Sequence, residues 1–255
     1  MYKNLNIYEL SNTFFIAISS FENLENSLTY FGKYHQENKS QTLIDLEKIK
    51  NNIGELTKEY LSNGEYKEEI ENIIKNYEEI NNNMRIFNES MIVRHAALFE
   101  SFFKQLSFVI QKVENERIAP YDKKYSKHIE LETILDYIKS LTGIDIKGRK
   151  FWGFYKIIRN LRHTIAHGEH IIEIDDKSIT KLKEYLKEDL IISKKQIRWL
   201  AIGDPIFHNY ISDDIKLQYE LNKLFIAELK TLYKLFWDKY EPEATIRVQS
   251  AFAKT

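Results

Sequence analysis

Apolar residues recur along this chain at the three-and-four spacing of helices far more often than at the two-residue spacing of strands. Leu5, Tyr8, Ile16, Phe21, Leu24 and Leu28 predict an amphipathic helix over residues 5–31, with Gly32 as its stop. Leu43, Ile44, Leu46, Ile49, Ile53 and Leu56 predict a second helix over Gln41–Leu61, closed by Gly64. Glu65–Asn83 is strongly charged, and Ile70, Ile73, Ile74, Tyr77 and Ile80 form only a narrow stripe on it, the pattern of a helix with a solvated face. Met84–Val113 is the longest apolar segment. From Met84 and Phe87 to Leu106 and Val109, its apolar positions cover more than half the circumference, as a helix with several neighbours requires. Arg94, His95 and Glu100 are its polar exceptions, and each is expected to find a partner in the bundle.

Glu114–Lys127, with Pro120, reads as a connection. Ile129–Leu141 carries Leu131, Ile134, Leu135 and Ile138 at helical spacing and ends at Gly143, and Ile144–Arg149 is a basic turn. After a helix over 151–167, Ser178–Glu188 predicts a short helix. Leu190–Ser193 and Gln196–Ile202 flank Lys194-Lys195 and predict a small β-hairpin. Ser212–Tyr240 predicts a second long helix, capped by Ser212 or Asp213 and stopped by Pro242. The expectation is an all-α bundle over 84–241, with a helical extension over 1–83, a minor hairpin and a loose tail over 242–255.

One helix is not explained by folding alone. In Phe151–His170, FWGFYKIIRNLRHTIAHGEH, about 100° per residue places Phe154, Ile157, Ile158, Leu161 and Ile165 on one arc. Tyr155, Lys156, Arg159, Arg162, His163 and His167 fall on the other, with no carboxylate among them. A solvated helix face usually mixes signs at i, i+4. An all-basic face containing histidines points instead to an anionic ligand.

Composition narrows the chemistry. Lys and Arg number 37 against 38 Asp and Glu, so no bulk positive field attracts a polyanion, and binding must come from a local patch. Three Pro and eight Gly in 255 residues favour long helices, and zero Cys removes disulfides, thiolate nucleophiles and cysteine-ligated zinc. No run approaches the roughly 20 apolar residues of a bilayer span, and Phe14–Ile18 is a short apolar run unlike a signal peptide, so the chain is expected in the cytoplasm. Neither glycine-rich phosphate loop nor nucleophile elbow is present. His163, His167 and His170 have H-x3-H-x2-H spacing, but no Glu follows His163 and two arginines share the face, so no metal is expected. No cofactor is implied. Metal-free acid/base chemistry on a phosphodiester fits better. Imidazole can take or give a proton near neutral pH, guanidinium can hold phosphate oxygens, and RNA brings its own nucleophile in the 2′-hydroxyl.

Leu161-Arg162-His163-Thr164-Ile165-Ala166-His167-Gly168 resembles the signature of the HEPN superfamily: an arginine, a polar residue directly after it, and a histidine after a spacer of four to six. Leu98-Phe99-Glu100-Ser101-Phe102 is similar to aromatic–Glu–Ser segments in many HEPN bundles, and the resemblance covers Met84 to Tyr240. It implies a metal-independent endoribonuclease of a toxin–antitoxin, abortive-infection or phage-defence system, restrained by an antitoxin or defence partner. It implies Arg162 and His167 as catalytic pair, assisted by His163; the helical face adds Tyr155, Lys156 and Arg159 as RNA-phosphate contacts. Five helical steps separate Arg162 and His167 by about 140°. A homodimer with this face near its two-fold axis would bring them into one composite site. The alternative is a non-catalytic helical module of the same kind, binding a nucleotide or a protein partner.

Overall fold

The first surprise is the length of the helices. A computed structural model describes residues 2–53, 67–114, 130–167, 175–187, 193–197, 206–210 and 215–241. Helix α1 runs over Tyr2–Ile53 and α2 over Lys67–Val113, so two long helices stand where the pattern suggested four shorter ones. Gly32 does not stop α1. Its missing Cβ would lie 3.1 Å from Ile215 Cδ1, so the glycine serves the close approach of another helix instead. A mid-helix glycine costs about 1 kcal/mol relative to alanine, too little to break a helix held by packing on both sides. Nothing between Asn83 and Met84 interrupts α2 either.

Helices α3 (Leu131–Thr142), α4 (Lys150–Ala166), α5 (Asp176–Lys183) and α6 (Ile215–Tyr240) complete the helical set among the described residues. Gly143 ends α3 in the left-handed region, φ 74°, as the sequence anticipates, and its N–H donates to the Lys139 carbonyl. The Asp175 carboxylate caps α5 by accepting from the Ser178 N–H at 2.9 Å. Strands β1 (Ser193–Ile197) and β2 (Ile206–Tyr210) pair antiparallel, Ser193 opposite Tyr210 and Ile197 opposite Ile206. Lys194 and Lys195 therefore sit inside a strand and not in the turn expected for them. Gly64, Pro120, Ser212, Asp213 and the tail after Glu241 lie outside the described residues.

Helix α1 lies antiparallel to α2: Lys112 donates to Glu9 at 2.8 Å near one end, and the Phe31 and Phe87 rings stack further along. Leu10, Phe14, Phe21, Leu24 and Leu28 of α1 are buried in the same core as Phe99, Phe103 and Leu106 of α2. Phe225 of α6 is the centre of that core, with ring centroids 5.2 Å from Phe21, 5.0 Å from Phe99 and 5.4 Å from Phe151. Residues 10–28 thus contribute side chains to the bundle core. No helix among the described residues is long and apolar enough to cross a membrane.

A polar seam runs through this core. His95 is fully buried, with Nδ1 2.7 Å from the Met91 carbonyl and Nε2 3.2 Å from Asn222 Oδ1, while Asn222 Nδ2 donates to the Phe21 carbonyl at 2.9 Å. Burial holds the imidazole near pKa 4, against an ordinary 6.5. Between those values the unfolded chain binds the proton and the folded chain refuses it, so stability falls as pH drops through this window. From pH 7 to 4 the protein should lose about 3 kcal/mol more than a His95→Gln variant. Denaturant titrations at each pH check this, and parallel pH profiles for the two proteins would refute it.

Candidate active site on helix α4

Helix α4 is fixed at its start by charge. Arg149, the residue before its first turn, donates from Nε to Glu228 Oε1 at 2.5 Å and from Nη2 to Glu228 Oε2 at 3.0 Å. This two-pronged bond ties α4 to α6, and the Glu228 carboxylate raises the pKa of Arg149 further. Along α4, Phe151, Phe154, Ile157, Ile158 and Leu161 are buried, which sets the opposite side toward solvent. The apolar arc expected from the sequence is the packed one; Ile165 packs against it only in part.

The other face divides into two stripes. Tyr155, Arg159 and Arg162, at i, i+4 and i+7, converge on one carboxylate, Glu100 of α2. The Tyr155 hydroxyl donates to Oε1 at 3.1 Å, Arg162 Nη1 donates to Oε2 at 2.5 Å, and Arg159 Nε stands 3.9 Å from Oε1. Lys156 and Arg159 also approach Glu132 of α3, at 3.7 and 4.0 Å. The basic face is therefore answered by carboxylates from two other helices, which the spacing within α4 alone could not reveal. In the sequence Glu100 stands out as an acid in the most apolar segment and in the aromatic–Glu–Ser stretch, but neither pairs it with these arginines.

Tyr155 departs from expectation. It is fully buried, 4.9 Å from the Phe99 ring, and belongs to the wall behind the site instead of the surface. Burial first, then the neighbouring Glu100 carboxylate, push its hydroxyl well above the ordinary range, so it stays protonated and donates. It supports Glu100 and cannot touch a phosphate from this position. Lys156 is exposed beside Glu132 and the Trp152 ring, at the margin.

The remaining residues surround a solvent-open cleft of about 590 Å³, lined by Glu100, Arg159, Asn160, Arg162, His163 and Thr164. Arg162 and His163 enter it together. His167 follows the last residue of α4, its N–H donating to the His163 carbonyl at 3.1 Å, and its ring centroid is 4.2 Å from that of His163. The four-residue separation that puts both imidazoles on one stripe of the helix thus brings them into contact. Asn160 and Thr164 are additions that no motif marked; the Thr164 hydroxyl donates to the Asn160 carbonyl at 3.2 Å. Gly168 and His170 lie outside the described residues, and among those described no three His, Asp or Glu side chains gather as metal ligands.

Chemically, the cleft offers the His163 imidazole, with the His167 ring against it, for proton transfer and two guanidiniums for oxyanions, with one carboxylate holding the guanidiniums in place. Compared with family models, with curated proteins and with solved structures, this chain finds no match.

The Glu100 hub has a thermodynamic consequence. Tyr155→Phe should cost about 1 kcal/mol for the lost hydrogen bond, and Glu100→Gln about 2 kcal/mol, because two arginines lose their counter-charge. The double variant should cost less than the sum by about 0.5 kcal/mol or more, since both changes break one shared contact. Denaturant unfolding of the four proteins measures the coupling; strict additivity would show that the hydroxyl and carboxylate act separately.

Proposed function

We propose that this protein is a metal-independent endoribonuclease of HEPN type, acting as a toxin or anti-phage effector. The reading is carried by one observation: Arg162 and His163 share the α4 cleft, and the His167 ring lies against that of His163. This is the place where the R-x4-H resemblance needs its residues, at the end of an amphipathic helix in an all-α protein.

The reaction follows from the groups available. One imidazole takes the proton of an RNA 2′-hydroxyl, and the 2′-oxygen attacks the adjacent phosphorus. The phosphorus–O5′ bond breaks, and the second imidazole gives its proton to the departing 5′-oxygen. The products are a 2′,3′-cyclic phosphate and a 5′-hydroxyl. Arg162, held by Glu100 through one N–H, keeps other donors for the non-bridging oxygens as charge builds on them. Arg159 adds a second cation on the same side of the cleft.

In this reading the active species is a homodimer, with the α4 faces of two copies near the axis and an antitoxin or defence-system partner as restraint. A composite site removes the angular difficulty, because Arg162 of one copy and His167 of the other can address one phosphate. The ion pairs to Glu100 and Glu132 favour a second reading, a non-catalytic module whose basic face is an internal support or a docking surface for a nucleotide or protein.

Incubation of purified protein with total cellular RNA in EDTA separates the two. The enzyme should leave 2′,3′-cyclic ends, and Arg162→Ala or His167→Ala should each slow cleavage by about 100-fold or more. His163→Ala should slow it as well. If folded, dimeric protein cuts nothing, or cuts equally well with both alanine variants, the enzyme reading fails and the docking reading stands.

A further inference from the structure

A second cleft, of about 570 Å³, lies between α1 and α2, toward the ends opposite the Glu9–Lys112 bridge. Along α2 it is centred about 25 Å from Glu100, counting seventeen residues back to Asn83 at the helical rise. Helix α6 begins at Ile215 against Gly32, one residue beyond Phe31. From there on, the facing positions of α1 change character: the apolar series Leu24, Leu28, Phe31 gives way to His35, Asn38 and Thr42. The lining is mainly aromatic and polar, with Ile80 and Ile86 of α2 as its aliphatic members.

Its aromatic part is a stack. The Phe31 and Phe87 rings lie face to face, centroids 3.7 Å apart and planes 5° apart, and the His35 ring continues the stack at 6.4 Å and 21° from Phe31. Tyr34, one residue before His35, also lines the cleft and is 59% exposed, a large aromatic face left to solvent.

The polar part combines acceptors with the amide N–H₂ groups of Asn76 and Asn83. Asn38 Nδ2 donates to the Tyr34 carbonyl at 2.8 Å, leaving its Oδ1 to accept. Glu79 of α2 brings a carboxylate with two parallel acceptor oxygens, and Asn83 lies one turn further along. His35 Nε2 is buried and has no hydrogen-bond partner. Among the described residues no lysine or arginine lines the cleft, and Glu79 repels phosphate.

The exposed Tyr34 ring beside a carboxylate and amides suits a planar heterocycle with an N–H donor edge. Guanine has that edge: N1–H and the exocyclic N2–H₂ are parallel donors, spaced to meet both oxygens of one carboxylate. We propose that the cleft between Phe31–Asn38 of α1 and Glu79–Phe87 of α2 binds a guanine base, stacked on the aromatic rings, with its ribose and phosphates outside. The base can come from a free nucleoside or from single-stranded RNA; the recognition chemistry is the same. The site stands on its own observations and does not require the cleavage proposed at α4.

Saturation-transfer NMR on the full-length protein with guanosine tests it. Transfer to the guanine H8 proton is expected at millimolar nucleoside, with little to cytidine and no displacement by inorganic phosphate. Glu79→Gln, at an exposed position, should weaken guanosine about tenfold, the loss expected for a hydrogen bond to a charged group, without changing the circular dichroism or melting temperature. Asn38→Ala should weaken it less. Arg162→Ala should bind guanosine as the unmodified chain does, so failure here is distinguishable from failure of the cleavage reading. Displacement of guanosine by a guanine-containing 2′-O-methyl oligonucleotide would assign the site to RNA bases, and retention of guanosine beside that oligonucleotide to the free nucleoside. Absence of transfer, equal binding of cytidine, displacement by phosphate, full affinity in Glu79→Gln, or loss of binding in Arg162→Ala would each overturn the proposal.

Discussion

The Glu100 carboxylate is the contact on which the arrangement at α4 depends. It receives the Tyr155 hydroxyl and an Arg162 N–H, and lies 3.9 Å from Arg159. An arginine stripe on a half-buried helix would otherwise be a self-repelling load, and the guanidiniums would turn to solvent in many rotamers. One carboxylate from the central helix removes the repulsion and fixes the direction of Arg162. The wall behind it is apolar and aromatic, with Phe99 and Tyr155 in contact, so the ion pair works in a medium less screening than water. The same acid that stabilises the fold thereby presents Arg162 beside His163.

That arrangement has a chemical logic of its own. A guanidinium already engaged on one side is a better clamp than a free one, because less rotamer entropy remains to be lost when an oxyanion arrives. The two imidazoles have no comparable anchor. His163 and His167 are exposed and meet ring against ring, which leaves them accessible to a substrate or to a second copy of the chain. The cleft is thus rigid on its arginine side and open on its histidine side, the division of labour suited to the proposed cleavage.

Much of this was legible in the residues. The apolar arc of α4, the Gly143 terminus of α3 and the breadth of the apolar surface on α2 all followed from periodicity, since burial of one face leaves a direct trace in spacing. Helix ends did not. Gly32 reads as a stop on local grounds, and only the approach of Ile215 explains why a glycine sits inside a continuous helix. Tyr155 misled for a related reason: its angular position on α4 matches the arginines, but its ring is covered by α2, and no pattern within α4 records what covers it. Glu100 and Glu132 are remote in sequence from the cations they neutralise, so a face that looks uncompensated in one helix is compensated by the tertiary fold. The clefts were equally invisible, because each is made of facing positions on two helices.

The antiparallel pairing of α1 with α2 also bears on how the chain finds its fold. Helical proteins usually fold fast because their contacts are local. Here the buried core contacts across the pair, such as Phe14 with Phe102 and Phe21 with His95, lie far from its connecting end. The contacts with enough apolar area to hold are those around Phe21, Phe99 and Phe225, which join segments separated by tens to more than two hundred positions. Large loops must close before any of them is made, at an entropic cost that grows with loop length. Folding is therefore expected to be cooperative, with the α4 cleft forming only once α2 and α4 have met.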